Sequence, residues 1–303
     1  MGRTVAETIG RLTREHLTSG RGILFGQCVS AVGWIGGTVP EMTEEEGIVE
    51  LSMADVAGAG IAVGAALVEN CRPIYVIRYQ GFMWYNAASL LNYAAKSKEM
   101  WGVPCPIAVR AIAMEGGIGP VASACHHSMV MRMPGMPVVA PMTPGEWGAA
   151  WEHYLTHDDP LFISEHRRSF PIRDEMPDVV HPDSRLTIFA ISASRLNAAD
   201  AIAGVVGDGI ACDLFHVVWL KPFTASEEMI ASLRKTGQGL VIDSDFEICG
   251  ASQSIAYALM HASGVPVHAM GLEDRTAGFA PHLDNPTPRV ERIIAAVREM
   301  AER

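Results

Sequence analysis

Short apolar runs alternate with helix-periodic stretches along this 303-residue chain, and that alternation constrains the fold more than any other feature. The first half predicts a helix over residues 4–18, strands at Ile23–Phe25 and residues 47–52, and a small-residue helix over Val56–Glu69. Strand Ile74–Arg78, helix Asn86–Lys96 and strand Ile107–Ala113 follow. Strand Val138–Ala140 then leads to a helix with Thr143 as N-cap and Pro144 at its first position, before strand Leu161–Ser164. Around residues 167–186 the periodicity lapses and proline and charge accumulate, which marks a linker. The pattern then resumes with strands 186–191, 214–220, 239–244 and 266–271, separated by helices 195–206, 225–235 and 251–263 and closed by helix 288–302. Strands alternating with helices imply parallel sheets covered on both faces. The expected fold is therefore α/β, with two parallel-sheet domains over residues 1–170 and 186–303 joined by a linker at 171–185.

Composition narrows the partners. The net charge of −11 and the absence of a basic block argue against nucleic acid. The six cysteines lie far apart with no CxxC pair, so neither a disulfide framework nor a zinc site is expected, and a reducing cytoplasm suits them. No long uncharged apolar run predicts a membrane span, and the amphipathic start does not read as a signal peptide. Hydrophobic residues make up 49% of the chain, a level that suggests apolar surface covered by partners.

The segment MEGGIGPVASACHHS, residues 114–128, is too long and glycine-rich to be a plain connector, and is expected to carry a site. GAGIAVG, with Gly58, Gly60 and Gly64, imitates a dinucleotide fingerprint, but its third glycine falls one residue late and no acid closes the next strand. Small residues here are better read as allowing close helix packing. Asp55 precedes this helix and could serve as a cap or as an acid in a site.

Four features occur together: Asp55, the aromatics Tyr79, Phe82, Trp84 and Tyr85, the glycine-rich loop ending in His126-His127, and PGMPVVAPMTP over residues 134–144. With them the chain resembles the beta chain of the thiamine-diphosphate-dependent 2-oxo acid dehydrogenases and, more distantly, transketolase. The family's acid-led glycine segment appears as DVAGAGIAVG, keeping Gly60 and Gly64. Its N-x-A-A-K helix end matches Asn92, Ala94, Ala95 and Lys96, and its H-S pair falls on His127-Ser128. The second domain joins the likeness through WLKPF, SLRKTGQGLVI, Gly250 and FAPHLDNPTPRVERIIAAVREM, so the likeness covers essentially the whole chain.

The resemblance implies a transketolase-like pyrimidine-binding domain followed by a transketolase C-terminal-like domain. It implies thiamine diphosphate with Mg²⁺, held mostly by an alpha subunit, in an α2β2 heterotetramer. The implied reaction is decarboxylation of a 2-oxo acid and transfer of the acyl or aldehyde unit to the lipoyl group of a carrier protein or to another acceptor. Two-carbon transfer or carboligation from a ketose, and a non-catalytic scaffolding paralogue, are the alternatives. Asp55 would hydrogen-bond the aminopyrimidine, Phe82 would pack against it, His127 would face the reactive thiazolium, and His126 would be a second substrate-side group. The chain departs from the family in having Asp55 where the family has glutamate, one methylene shorter. The loop after His127-Ser128 is shorter too, an arginine is lost from the strand ending at Leu220, and His157-Asp158-Asp159-Pro160 alters the family's potassium ligands. Gly207-Asp208-Gly209 imitates the metal motif of thiamine enzymes, but the asparagine this motif requires downstream is missing, so a turn is expected.

Overall fold

The computed structural model of the chain describes residues 2–30, 35–68 and 71–302, so Glu69, the end of one expected helix, lies outside the described residues. Two compact units emerge: residues 1–114 with 129–175, and residues 115–128 with 176–303. The glycine-rich loop thus belongs to the second unit, although the sequence around it builds the first.

The first unit begins with α1 (Val5–Thr18), opened by a capping box in which the Thr4 hydroxyl accepts from the Glu7 amide and the Glu7 carboxylate accepts from the Thr4 amide. Then come β1 (Gly22–Gly26), β2 (Ile48–Glu50), α2 (Asp55–Val68), β3 (Arg72–Ile77), α3 (Met83–Asn92), α4 (Ser97–Trp101) and β4 (Ala108–Ala113). After the loop come α5 (His127–Met131), β5 (Val138–Val139), α6 (Pro144–Thr156) and β6 (Leu161–His166). The strands pair in parallel in the order β2-β1-β3-β4-β6-β5. Leu24, Ile74, Ala108 and Leu161 lie side by side across four of them. Every residue of β3, β4 and β6 is buried, as a sheet covered on both faces requires. Thr143 caps α6 in a second capping box with Pro144 at its first position. The helix expected over Asn86–Lys96 starts earlier and is broken: α3 gives way at Tyr93 to a 3-10 turn over Ala94–Lys96.

Small residues let α2 lie close to its neighbours. A side chain added at Gly58 would meet the Tyr75 hydroxyl at 3.0 Å, and one at Gly60 would meet Ser89 of α3 at 3.6 Å. Two of the segments that carried the family likeness also meet. Gly135 lies with φ +74° so near the end of the Ala94–Lys96 turn that a Cβ would fall 1.7 Å from the Ala95 carbonyl oxygen.

Inside the sheet, Arg110 of β4 and Glu165 of β6 form a two-pronged ion pair, 2.9 and 3.0 Å, with both side chains fully buried. The Thr38 hydroxyl accepts another guanidinium hydrogen at 2.7 Å, so the charges are hydrogen-bonded as well as paired. At the end of α6 the Arg72 guanidinium donates to the carbonyls of Tyr154 and His157 and to Asp158. The positive charge that gathers these oxygens therefore comes from this side chain.

The second unit contains β7 (Leu186–Ile191), α7 (Ser194–Val205), β8 (Cys212–Val217), β9 (Trp219–Lys221), α8 (Glu227–Thr236), β10 (Gly239–Phe246), α9 (Ala251–Ser263), β11 (Val267–Leu272) and α10 (Val290–Ala301). The strand expected over 214–220 is thus two strands broken at Val218. Four strands pair in parallel in the order β11-β10-β7-β8. On one face α7 and α10 bury Ala198, Ala201, Val205, Ile293 and Val297 against Leu186, Ile188, Leu240 and Ile242. Each large aliphatic buried there contributes about 1.5–3 kcal/mol. On the other face α9 packs on β10 and β11, with α8 beside it.

Candidate active site

In the first unit, Asp55 is the first residue of α2 and is half-buried. Its carboxylate is not turned into its own helix terminus. Its hydrogen bond comes instead from the side-chain amide of Asn86, at 3.2 Å. Asn86 is fully buried, and the same amide nitrogen donates to the Phe82 carbonyl at 2.9 Å. Its carbonyl oxygen accepts from the Tyr75 hydroxyl at 2.7 Å. Burial, with the Asp55 carboxylate nearby, pushes the Tyr75 phenol well above its ordinary value, so it stays a donor and fixes which way the Asn86 amide points. Phe82 is half-buried, between Tyr79 and Tyr85 at ring separations of 6.1 and 6.5 Å. Ala54, Asp55, Val56, Ala57 and Tyr85 line an open depression of about 490 Å³. A carboxylate oriented by a neighbour, beside an aromatic side chain and an open space, suits a flat nitrogen heterocycle that can donate to it.

The second unit holds the histidines. The loop is fastened at its start by Glu115, whose carboxylate accepts from the Thr287 amide at 2.9 Å. Midway, Gly119 adopts φ +94° under the ring of Phe279, where a Cβ would stand 2.4 Å from the ring. Near its end Ala124 has φ +82°, a strained conformation for a residue with a side chain, and the next three residues are Cys125, His126 and His127. The Cys125 amide donates to the Ser244 carbonyl at 3.4 Å.

His127 is fully buried, with its Nε2 2.9 Å from Asp243 and 3.8 Å from Asp245. Asp245 also accepts from the Ser128 amide at 2.8 Å. Both acids sit where β10 loses register with β11, between Ile242 and Phe246, an irregularity of the kind that re-aims side chains. Burial alone would lower the His127 imidazole, but Asp243, with Cys125 and Asp245, holds it well above its ordinary value. Burial raises the Asp245 carboxyl and the Cys125 thiol. His126 is only half-buried; its ring lies 5.8 Å from that of Phe246, and burial lowers it, so it is neutral near pH 7.

Asp55 and Phe82 thus share one network in the first unit, and His126 and His127 share one segment of the second. Asn86, Asp243 and Asp245 escaped the sequence reading. The signals were present: Asn86 lies one helical turn after Phe82, and two acids spaced by one residue interrupt the apolar strand GLVIDSDF. Gly207-Asp208-Gly209 is a turn, with Gly209 at φ +71° and Asp208 paired with Arg298 at 2.8 Å. Among the described residues, no helix is long and apolar enough to cross a membrane. All six cysteines are free thiols.

Residues 29–173 match the family model for the transketolase pyrimidine-binding domain, and residues 177–291 the model for the transketolase C-terminal domain. The chain is 25% identical over 274 residues to the pyruvate dehydrogenase E1 component subunit beta of Rickettsia conorii, covering 84% of this chain and 83% of that protein. It is 26% identical over 293 residues to the 2-oxoisovalerate dehydrogenase subunit beta of Bacillus subtilis, covering 86% of each. It is 24% identical over 275 residues to the acetoin:2,6-dichlorophenolindophenol oxidoreductase subunit beta of Cupriavidus necator, covering 83% and 80%. A solved structure described as a split gene transketolase, inactive beta4 tetramer, shares the fold at a TM-score of 0.74 and 17% identity, over 100% of this chain and 99% of that one.

Proposed function

Since this chain belongs to the transketolase family through both of its domains, we propose that it is the beta-type subunit of a heteromeric thiamine-diphosphate-dependent enzyme acting on 2-oxo acids. The three relatives named above are each the beta subunit of an oxidoreductase, two of them of 2-oxo acid dehydrogenases. The observation that carries the reading to this chain's own residues is the Asp55 carboxylate, oriented by Asn86 and open on its other side.

When bound, thiamine diphosphate supplies a carbon nucleophile that adds to a 2-oxo group and stabilises the negative charge left by loss of CO2. Asp55 would give a proton to the aminopyrimidine ring nitrogen and take it back, a task for an acid held in fixed geometry. The buried Tyr75-Asn86 pair keeps the carboxylate from swinging into its helix. Phe82 and Tyr85 offer flat apolar surface to the heterocycle. The loop bearing His126 and His127 forms the substrate side, where an imidazole can bind a carboxylate or move a proton near neutral pH.

The diphosphate and Mg²⁺ fall to an alpha subunit in this reading, because Gly207-Asp208-Gly209, which imitates the metal motif of thiamine enzymes, spends its aspartate on Arg298. An α2β2 assembly also suits the apolar side chains of the first unit exposed on and near α2, α3 and α4: Met53, Val56, Trp84, Tyr85 and Trp101. A cytoplasmic setting suits the free thiols.

The test is to purify the chain with a candidate alpha chain and to measure thiamine-dependent CO2 release from a panel of 2-oxo acids. CO2 release that needs both chains is expected. Cleavage of ketoses without CO2 would replace the reading with two-carbon transfer, and assembly without either activity would replace it with a scaffold.

A further inference from the structure

The adjacent histidines of the loop occupy opposite environments. His127 is sealed, and the groups facing its ring include Asp243 and Asp245 of β10 and Cys125 and His126 of its own segment. With Nε2 on Asp243 and the Cys125 thiol hydrogen-bonded to the ring, reaching a ligand would break a buried charge pair. His126, one residue away, is partly open to solvent.

We propose that the pair is specialised: Asp243 locks His127 as a buried imidazolium that positions the loop, and His126 is the ring that meets the substrate. This rests on the functional reading above for the identity of the reaction, but not for the lock. Two ionised acids beside a neutral imidazole would leave two negative charges in the interior, and a protonated ring reduces them to one. A protonated His127 pairs directly with Asp243, and Asp245, already accepting from the Ser128 amide, closes the cluster. The lock fixes the backbone immediately after His126. The strained Ala124 fixes it two residues before. His126 is thereby held in one orientation, neutral and able to accept a proton or a hydrogen bond from the hydroxyl that the substrate's oxo group becomes.

His127, Asp243 and Asp245 are also grouped closely enough to hold a cation, and the test separates that case. The full chain, labelled with ¹⁵N at its histidine rings, is examined from pH 6 to 9 beside Asp243→Asn, with His127→Asn identifying the signal. Both His127 ring nitrogens should stay protonated in the wild type, and in the variant the ring should titrate near or below about 6.5. A neutral ring at pH 7 in the wild type, titration unchanged by Asp243→Asn, or a stoichiometric divalent metal in the purified protein would each overturn the lock. In the complex with the alpha chain, His126→Gln should lower kcat/KM on the order of 10²-fold at an unchanged unfolding temperature. Turnover within about two-fold of wild type would overturn its assignment. A wild-type complex with no thiamine-dependent turnover would overturn the functional reading and His126's part with it, while the ring spectrum still decides for or against the lock.

Discussion

Asn86 donates to Asp55 at 3.2 Å from a fully buried position, and a tyrosine that cannot ionise near neutral pH dictates its orientation. The shorter acid of this chain is therefore not a free-swinging side chain. Replacing Asn86 by alanine removes that orientation and leaves the Tyr75 hydroxyl buried without its acceptor, which costs about 1–3 kcal/mol. Asn86→Ala should lower kcat/KM roughly ten-fold or more and depress the unfolding temperature, while Tyr75→Phe should do less to both. Steady-state kinetics with thermal unfolding checks the order of the two variants.

Asp55→Ala should abolish turnover, by on the order of 10²-fold or more, while the chain still assembles with its partner. Asp55→Glu should retain substantial activity, because the depression beside it leaves room for one more methylene. Gel filtration and thiamine-dependent CO2 release on the same preparations decide it. Full activity in Asp55→Ala would remove the acid from the reaction.

The buried Arg110–Glu165 pair predicts an asymmetry. Glu165→Gln strands a guanidinium in the sheet and should cost about 3–5 kcal/mol, whereas replacing both residues by apolar ones of similar volume should cost far less. Denaturant unfolding of the single and double variants measures the difference.

His216 sets part of the acid limit of the second unit. Burial, then the nearby Arg195 charge, pushes its imidazole down to about 4, and Arg195 Nε donates to its Nδ1 at 3.0 Å. The unfolded chain takes up this proton near 6.5, the folded chain only near 4, so between those values the unfolded state binds more protons and stability falls as pH falls. His216→Gln, which keeps an acceptor but does not titrate, should flatten the unfolding temperature over that window relative to wild type.

Gly135 tests the contact with the end of the Ala94–Lys96 turn. Its positive φ and the 1.7 Å approach of a Cβ to the Ala95 carbonyl leave no room for alanine. Gly135→Ala should lower the unfolding temperature strongly, whereas Gly148→Ala, with nothing within 4 Å, should leave it unchanged or raise it. Calorimetry of the two variants provides the comparison.

The parallel sheets were legible in the sequence because a strand covered on both faces shows as a nearly continuous apolar run, as β3 does after Arg72 and β7 does around Thr187. Thr143 and Pro144 declared the start of α6 by local chemistry alone. The turn at Gly209 was legible for the same reason. The break at Tyr93 was not, since no proline or glycine marks it and the surrounding pattern continues as a helix. Asp55, Phe82 and the histidines stood out as residues, but their partners did not. Asn86 reaches Tyr75 across 11 positions and His127 reaches Asp243 across 116, and no local periodicity encodes contacts of that separation. The opposite environments of His126 and His127 follow from those distant acids, so adjacent identical letters gave no hint of them.

The loop over residues 115–128 leaves the sequence of one unit to complete the other. A protease or a gene split that cut the chain near residue 175 would therefore not release two self-sufficient pieces. The C-terminal piece would begin without the histidine that pairs with its own buried acids, and refolding it alone would require the missing fourteen-residue segment, residues 115–128, supplied as a separate peptide.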